Sequence, residues 1–199
     1  LARMMAAEPK FLLLDEPFSA LDAYLKEKLM QEMMTYLNQF KKGVIMVSHS
    51  RDEVYQMCSD TVIMHQGMIE TLGKTKEIFD NPGTVNAARL TGCKNISEIE
   101  ILGNRKILAK DWNIVLNTNV DVDISIKYVG VRAHDFNFDK GDNEFTAKVI
   151  NTVESLFENV YILEVAGGKK NIWLKRSNEI NTEIGSKVFV NSESLMLLK

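Results

Sequence analysis

Cysteine is scarce: Cys58 and Cys93 are the only two in 199 residues. They are too few and too far apart for a disulfide framework or a zinc site, and a reduced cytosolic compartment is the economical reading. No basic excess exists either, with 24 Lys and Arg against 27 Asp and Glu and a net charge of −3. That balance gives no support to an electrostatic nucleic-acid binder. Apolar runs are short, Phe11-Leu12-Leu13-Leu14 being typical, so nothing is long enough to span a bilayer. A phosphate-cradling loop of the form Gly-x-x-x-x-Gly-Lys-Ser/Thr is missing. The nearest string, Gly167-Gly168-Lys169-Lys170, lies between two alternating apolar segments and reads as a hairpin turn. The chain opens on Leu1-Ala2-Arg3 with no initiator Met and no signal pattern, a start expected of a piece of something longer.

What is present is enough apolar material, 45% of residues, to bury a core in one domain or two small ones. Nine of the ten methionines precede residue 90 and only Met196 follows it, so packing style changes there. Residues 1–7 read as the end of a helix stopped ahead of Pro9. Lys10–Leu14 reads as a strand buried on both faces, because consecutive apolar residues cannot all face one side. From Asp22 to Phe40 the stripe Leu25, Leu29, Met33, Leu37, Phe40 recurs at helical spacing, and Met30, Met33 and Met34 are helix packing. Val44–Val47 forms a second buried strand, which makes a βαβ unit with parallel neighbours. A short helix over 51–57, a hairpin turning at Gln66-Gly67, and helical pieces near 74–79 and 84–90 follow. Beyond residue 90 the pattern is β: alternation from Val122 to Tyr128, then over 145–153, 160–165, 171–174, 187–190 and 195–198. Turn signals stand at Gly103-Asn104, 140–142, Gly167-Gly168 and 183–185, and together these predict a small barrel or sandwich.

In parallel sheets ligands gather beyond the carboxyl ends of the strands. The first strand ends in Asp15-Glu16-Pro17 and the second in Ser48-His49. An Asp so placed can hold Mg²⁺ through water, since hard cations want carboxylate oxygen. The carboxylate after it can orient or deprotonate a water. A His on the adjacent strand end is within reach of a terminal phosphate. The alternative is that Asp15 and Glu16 merely cap a turn before Asp22. His65 reads as an exposed strand residue, and His134 has no clustered ligand partners. Asn95-Ile96-Ser97 has the form of a glycosylation sequon, without meaning in a cytosolic protein.

Lys10-Phe11-Leu12-Leu13-Leu14-Asp15-Glu16-Pro17, followed by Phe18-Ser19-Ala20-Leu21-Asp22 and, 27 residues later, His49, closely resembles the nucleotide-binding subunits of ABC transporters. The resemblance implies a Walker B strand, a Ser-Ala-Leu-Asp D-loop and a switch histidine. It implies that Asp15 organises Mg²⁺, Glu16 is the general base for water, and His49 senses the γ-phosphate of ATP. Ser19 and Asp22 would lie at a dimer face linking two ATP sites. The family's Leu-Ser-Gly-Gly-Gln-type signature would stand ahead of Leu1. The expected architecture is therefore α/β over residues 1–90, part of a P-loop-type ABC ATPase core, followed over 91–199 by an all-β, OB-like barrel. This second half resembles the TOBE regulatory domain of importer ATPases, with Gly130-Val131-Arg132-Ala133-His134-Asp135 departing from the family's pattern at Ala133 and His134.

Thr91-Gly92-Cys93-Lys94-Asn95-Ile96-Ser97 and Arg132-Ala133-His134 look more like the molybdate/sulfate branch than the sugar branch, with polyamine, iron and sugar importers as alternatives. The implied partners are a second ATPase subunit and two membrane permease subunits, at the cytoplasmic face of the membrane. Lacking the phosphate loop, the chain alone is expected to bind ATP weakly and hydrolyse it negligibly. In the molybdate branch the β-rich half can bind an oxyanion at a subunit interface. Lys175, Arg176 and Ser177 offer a cation, a guanidinium and a hydroxyl for that, or else form a solvated turn.

Overall fold

A computed structural model describes residues 9–40, 42–177 and 186–199. The predicted helix end over 1–7 and the turn at 183–185 lie outside the described residues. The structure is mostly β-sheet with few helices. It divides into two compact units, one of Leu1–Val62 and Leu72–Lys76, the other of Ile63–Thr71 and Glu77–Lys199.

The first unit is built on one crossover. Strand β1 (Phe11–Asp15), helix α1 (Ala23–Gln39) and strand β2 (Gly43–Val47) succeed one another, and helix α2 (Arg51–Met57) follows. β1 and β2 pair in parallel, Phe11 opposite Gly43 and Asp15 opposite Val47, as the βαβ reading requires. Leu12, Leu14 and Phe18 pack with Met30 and Met33 of α1 to form its core. Among the described residues only one face of the strand pair is covered, against the expectation of strands buried on both faces. Phe11 and Leu13 are 58% and 67% exposed, and Ile45 and Val47 of β2 lie open with them. Side chains alternate across a strand, so α1 covers one face only. The helical stripe also shifts at its start. Leu25 is exposed, and Lys26 turns inward to the buried carboxylate of Glu53, an ion pair that outcompetes apolar spacing at that turn.

Strands β3 (Asp60–His65) and β4 (Met68–Lys74) form a two-stranded hairpin. Gln66 and Gly67 both have positive φ, 50° and 78°, which is the backbone a tight two-residue hairpin turn demands. Helix α3 (Thr75–Asp80) follows, then α4 (Val85–Leu90), capped by Thr84 Oγ1, which accepts from Ala87 N–H at 3.2 Å.

Among the described residues the second unit carries nine further strands: β5 (Asn95–Gly103), β6 (Lys106–Ala109), β7 (Ile114–Asn117), β8 (Tyr128–Val131), β9 (Asn143–Val153), β10 (Asn159–Glu164), β11 (Ile172–Arg176), β12 (Ser186–Val190) and β13 (Met196–Leu198). They make two sheets, ordered β13-β8-β5-β6-β7 and β11-β10-β9-β12. Trp112 and Phe136, both 1% exposed, meet edge-to-face at 6.3 Å in a core that includes Leu116, Val129, Leu163 and Leu174. Gly167, with φ 77°, sits in the connection between β10 and β11, so that string is a hairpin turn as expected.

The strand expected from Val122 to Tyr128 forms only from its last residue, where β8 begins. The alternation over 122–126 is irregular: Asp123 Oδ1 accepts from Ser125 N–H at 2.8 Å, Asp123 C=O accepts from Ile126 N–H, and Ile124 is 81% exposed. A local Asp turn outweighed the alternation. Ahead of it in the chain stand β5, β6 and β7, which the sequence reading marked only by the turn at Gly103-Asn104.

Two buried asparagines join the sheets. Asn95 opens β5 and holds the backbone of Trp173 in edge strand β11, Nδ2 donating to its C=O at 2.8 Å and Oδ1 accepting from its N–H at 2.7 Å. Asn143 opens β9 and does the same to Asn117 in edge strand β7, at 3.0 and 2.6 Å. Each amide stands in for a missing strand at an open sheet edge. Asn95, 2% exposed, is thereby spent on packing, whatever its sequon suggests. Asn95→Ala strands an N–H and a C=O and should lower the free energy of unfolding by about 2–4 kcal/mol, read from urea denaturation. Burial pushes the Cys93 thiol up to about 11. Burial raises the Cys58 thiol as well, but Cys58 is only half-buried, so iodoacetamide at pH 8 should label it faster than Cys93 in the folded protein.

Candidate functional site

The candidate site lies in the first unit, where β1 and β2 end side by side. The parallel ladder runs one step past β1: Glu16 N–H donates to Val47 C=O at 2.9 Å. That bond is made with Glu16 at φ 45°, a left-handed backbone that costs a non-glycine residue about 1–3 kcal/mol. The following turn closes as Glu16 C=O accepts from Ser19 N–H at 3.2 Å and Ser19 Oγ at 3.0 Å, and it is anchored by Phe18, 2% exposed. Asp22 then caps α1, its Oδ1 accepting from Leu25 N–H at 2.9 Å.

These backbone constraints aim the side chains. Oε1 of Glu16 is buried with no hydrogen-bond partner. His49, two residues past β2, brings its Nε2 to 3.4 Å from that oxygen without the geometry of a hydrogen bond, and its ring is 95% exposed. A carboxylate oxygen enclosed without a donor is unfavourable, and it coincides here with the strained backbone of the same residue. Asp15, at the last position of β1, is exposed. Among the described residues no three His, Cys, Asp or Glu side chains are grouped to hold a metal by themselves. An exposed carboxylate at a strand end does suit a hard cation held through water.

The structure therefore brings Glu16 and His49 together, leaves Asp15 exposed at the end of β1 without grouping it with them, and puts Ser19 and Asp22 in the turn leading away. It adds two residues the sequence reading missed. Glu53, 3% exposed, accepts from Ser48 Oγ and pairs with Lys26 Nζ at 2.5 Å. Ser48 Oγ in turn accepts from Ser50 N–H at 3.0 Å, and Ser50 Oγ caps α2. Burial pushes the Glu53 carboxyl up, but the hydrogen bonds from Lys26 and Ser48 and the Lys26 charge outweigh it and hold it below its ordinary value. The available signal was Ser50-Arg51-Asp52-Glu53, the spacing of a capping box, which points to a paired Ser and Glu but not to Lys26.

In the second unit, Lys175, Arg176 and Ser177 line a cleft with His134, Phe157 and Glu158. Lys175 Nζ is paired with Glu158, and Arg176 Nη1 donates to His134 C=O at 3.3 Å. An oxyanion there would compete with the Glu158 carboxylate. Burial raises the Asp135 carboxyl nearby against the opposing charges of His134 and Arg132.

No family model matches the chain. Among curated proteins it is 32% identical over 200 residues to the molybdate/tungstate import ATP-binding protein WtpC of Pyrococcus abyssi, covering 96% of this chain and 57% of that protein. It is 40% identical over 95 residues to the sulfate/thiosulfate import ATP-binding protein CysA of Mesostigma viride, covering 48% of this chain and 27% of that protein. Spermidine/putrescine import ATP-binding proteins are also among its relatives. The chain thus spans little more than half of the longest-matching of these relatives. A solved structure, the cytoplasmic molybdate-binding protein ModG with molybdate bound, aligns at TM-score 0.45 and 12% identity over 54% of this chain and 98% of that one, too distant to carry an argument.

Two outcomes test the geometry. Asp22→Ala removes the helix cap and should cost about 1 kcal/mol of stability in urea unfolding. The Glu53 carboxyl is held low, so its contribution is complete above its ordinary value of 4.5 and is lost as pH falls through the lower folded value. Acidification through that range should therefore lower the unfolding midpoint of the wild type, and Lys26→Met should flatten that step.

Proposed function

We infer from the chain's membership of the ATP-binding subunits of ABC importers that Glu16 is the general base of an ATP-hydrolysing site. The observation that supports it is the bare, buried Oε1 of Glu16 with His49 Nε2 at 3.4 Å, at the ends of two parallel strands. In this reading Glu16 accepts the proton of the attacking water, a role worth roughly 10² to 10⁴ in rate. His49 donates to the terminal phosphate and so reports its presence. Asp15 holds a Mg²⁺-bound water, and the ion, when bound, neutralises phosphate charge. Ser19 and Asp22 face a second ATPase subunit and relay the state of one site to the other. The parent couples hydrolysis to two permease subunits at the cytoplasmic face of a membrane and imports molybdate or sulfate. Among the described residues no helix is long and apolar enough to cross a membrane.

A glycine-rich loop is absent from these 199 residues, so the chain by itself should bind MgATP weakly and turn it over negligibly. In a chimera carrying the upstream half of a homologous subunit ahead of Leu1, turnover should appear, and Glu16→Gln should abolish it while nucleotide binding persists. Turnover by the 199-residue chain that disappears in Glu16→Gln would contradict the first statement. Turnover by the chimera that survives Glu16→Gln would contradict the role given to Glu16.

A second reading, oxyanion sensing by the β-rich unit, is favoured by the grouping of Lys175, Arg176 and Ser177 with His134 on one cleft. Titration calorimetry with molybdate, tungstate and sulfate decides it. Saturable heat lost in Ser177→Ala supports sensing, and no heat leaves the cleft structural.

A further inference from the structure

His49 poses a positional problem. Its ring is 95% exposed, so packing does not hold it, yet its Nε2 stands 3.4 Å from Glu16. An unpacked side chain is placed by its backbone, and the backbone is held by the residues on either side. Both neighbours are tied to one buried cluster. Ser48 Oγ donates to Glu53 and accepts from Ser50 N–H at 3.0 Å. Ser50 Oγ accepts from Glu53 N–H at 3.5 Å and from Lys26 Nζ at 3.5 Å. Lys26 closes the cluster on Glu53 Oε1. Lys26 is also one helical turn beyond Asp22, and its own N–H donates to Asp22 C=O at 2.9 Å. The cluster therefore joins the start of α1, where the Ser19–Asp22 turn ends, to the segment that carries His49.

We propose that Glu53 and Lys26 are positioning residues that hold His49 opposite Glu16 and make its placement depend on the turn ending at Asp22. The proposal rests on the hydrolytic reading of Glu16 and His49, but its geometry does not need a nucleotide. Charge is the working element. A charge-assisted pair is about twice as strong as a neutral bond, and removing Lys26 leaves the buried Glu53 carboxylate without its cation. Three further charged groups sit nearby on the same elements: Arg51 pairs with Asp52 at 3.7 Å on the exposed side of α2, and Glu27 lies exposed on α1. None of them enters the cluster.

The test uses the 199-residue chain without nucleotide. Amide hydrogen exchange is read at His49 and Ser50, and the His49 ring is followed by ¹³C–¹H correlation, which is simple because the chain has three histidines. In Glu53→Gln and in Lys26→Met the Ser50 amide should exchange about tenfold faster or more, with a shifted His49 ring resonance. Met33, in the core contact of the same helix, should keep its protection, and Lys26→Arg should restore Ser50 to near wild type. Unchanged Ser50 exchange and an unmoved His49 ring in both variants would overturn the proposal. So would equal acceleration at Met33, which would mean general loosening of the unit. If Glu53→Gln does not fold, the Lys26→Met and Lys26→Arg pair carries the same comparison. Because no nucleotide enters, failure here leaves the hydrolytic reading standing, and loss of that reading in the chimera leaves the positioning role standing.

Discussion

The backbone hydrogen bond from Glu16 N–H to Val47 C=O is the constraint on which the site depends. It extends a parallel ladder by one residue after the apolar run of β1 has ended, and it does so with Glu16 in the left-handed region. Glu16 Oε1 is enclosed without a donor and faces His49, while the side chain as a whole stays 27% exposed. Backbone strain and an unmet acceptor are both unfavourable, and they coincide at one residue. The core under the turn, with Phe18 and Leu12 almost fully buried against α1, supplies the stabilisation that offsets them.

Polar groups organise the β-rich unit in a different way. Its apolar core is rich in Val, Leu and Ile side chains, which carry no directional bonds of their own. Asn95 and Asn143 supply such bonds. Each sits at the first position of an inner strand and supplies one donor and one acceptor to a single residue on the edge of the opposite sheet. An apolar side chain there would pack as well but would leave the edge groups of Trp173 and Asn117 unpaired, so the two amides specify the register as well as stabilise it. Gly130 contributes by omission: a side chain there would press on Cys93, Met196 and Leu198 at 3.2–3.3 Å.

Much of this was legible in the chain. Strand, helix, strand and the parallel pairing followed from apolar runs and spacing, because local periodicity reflects which face of an element is covered. The Gln66-Gly67 and Gly167-Gly168 turns were legible because positive φ is a local demand. The candidate pair Glu16 and His49 was legible as residue types at strand ends. The misreadings have separate sources. Leu25 was assigned to the core, and Lys26 took the inward position because Glu53, 27 residues away, offered a charge. The alternation over 122–126 looked like a strand until the Asp123 side chain captured its own backbone. Phe11 and Leu13 looked buried because an apolar run does not say how many layers cover it.

The sequence by itself determined the element types, the carboxylates and histidine at two strand ends, and the absence of a phosphate loop within these residues, since each depends on neighbours a few positions apart. Only the tertiary structure decided which of those groups meet. The 3.4 Å approach of His49 to Glu16, the buried union of Lys26, Ser48 and Glu53, and the two asparagine bridges all join residues distant in the chain. Hydrogen bonds and ion pairs between such residues act over a few ångströms, and no local pattern records which partners the fold will bring that close.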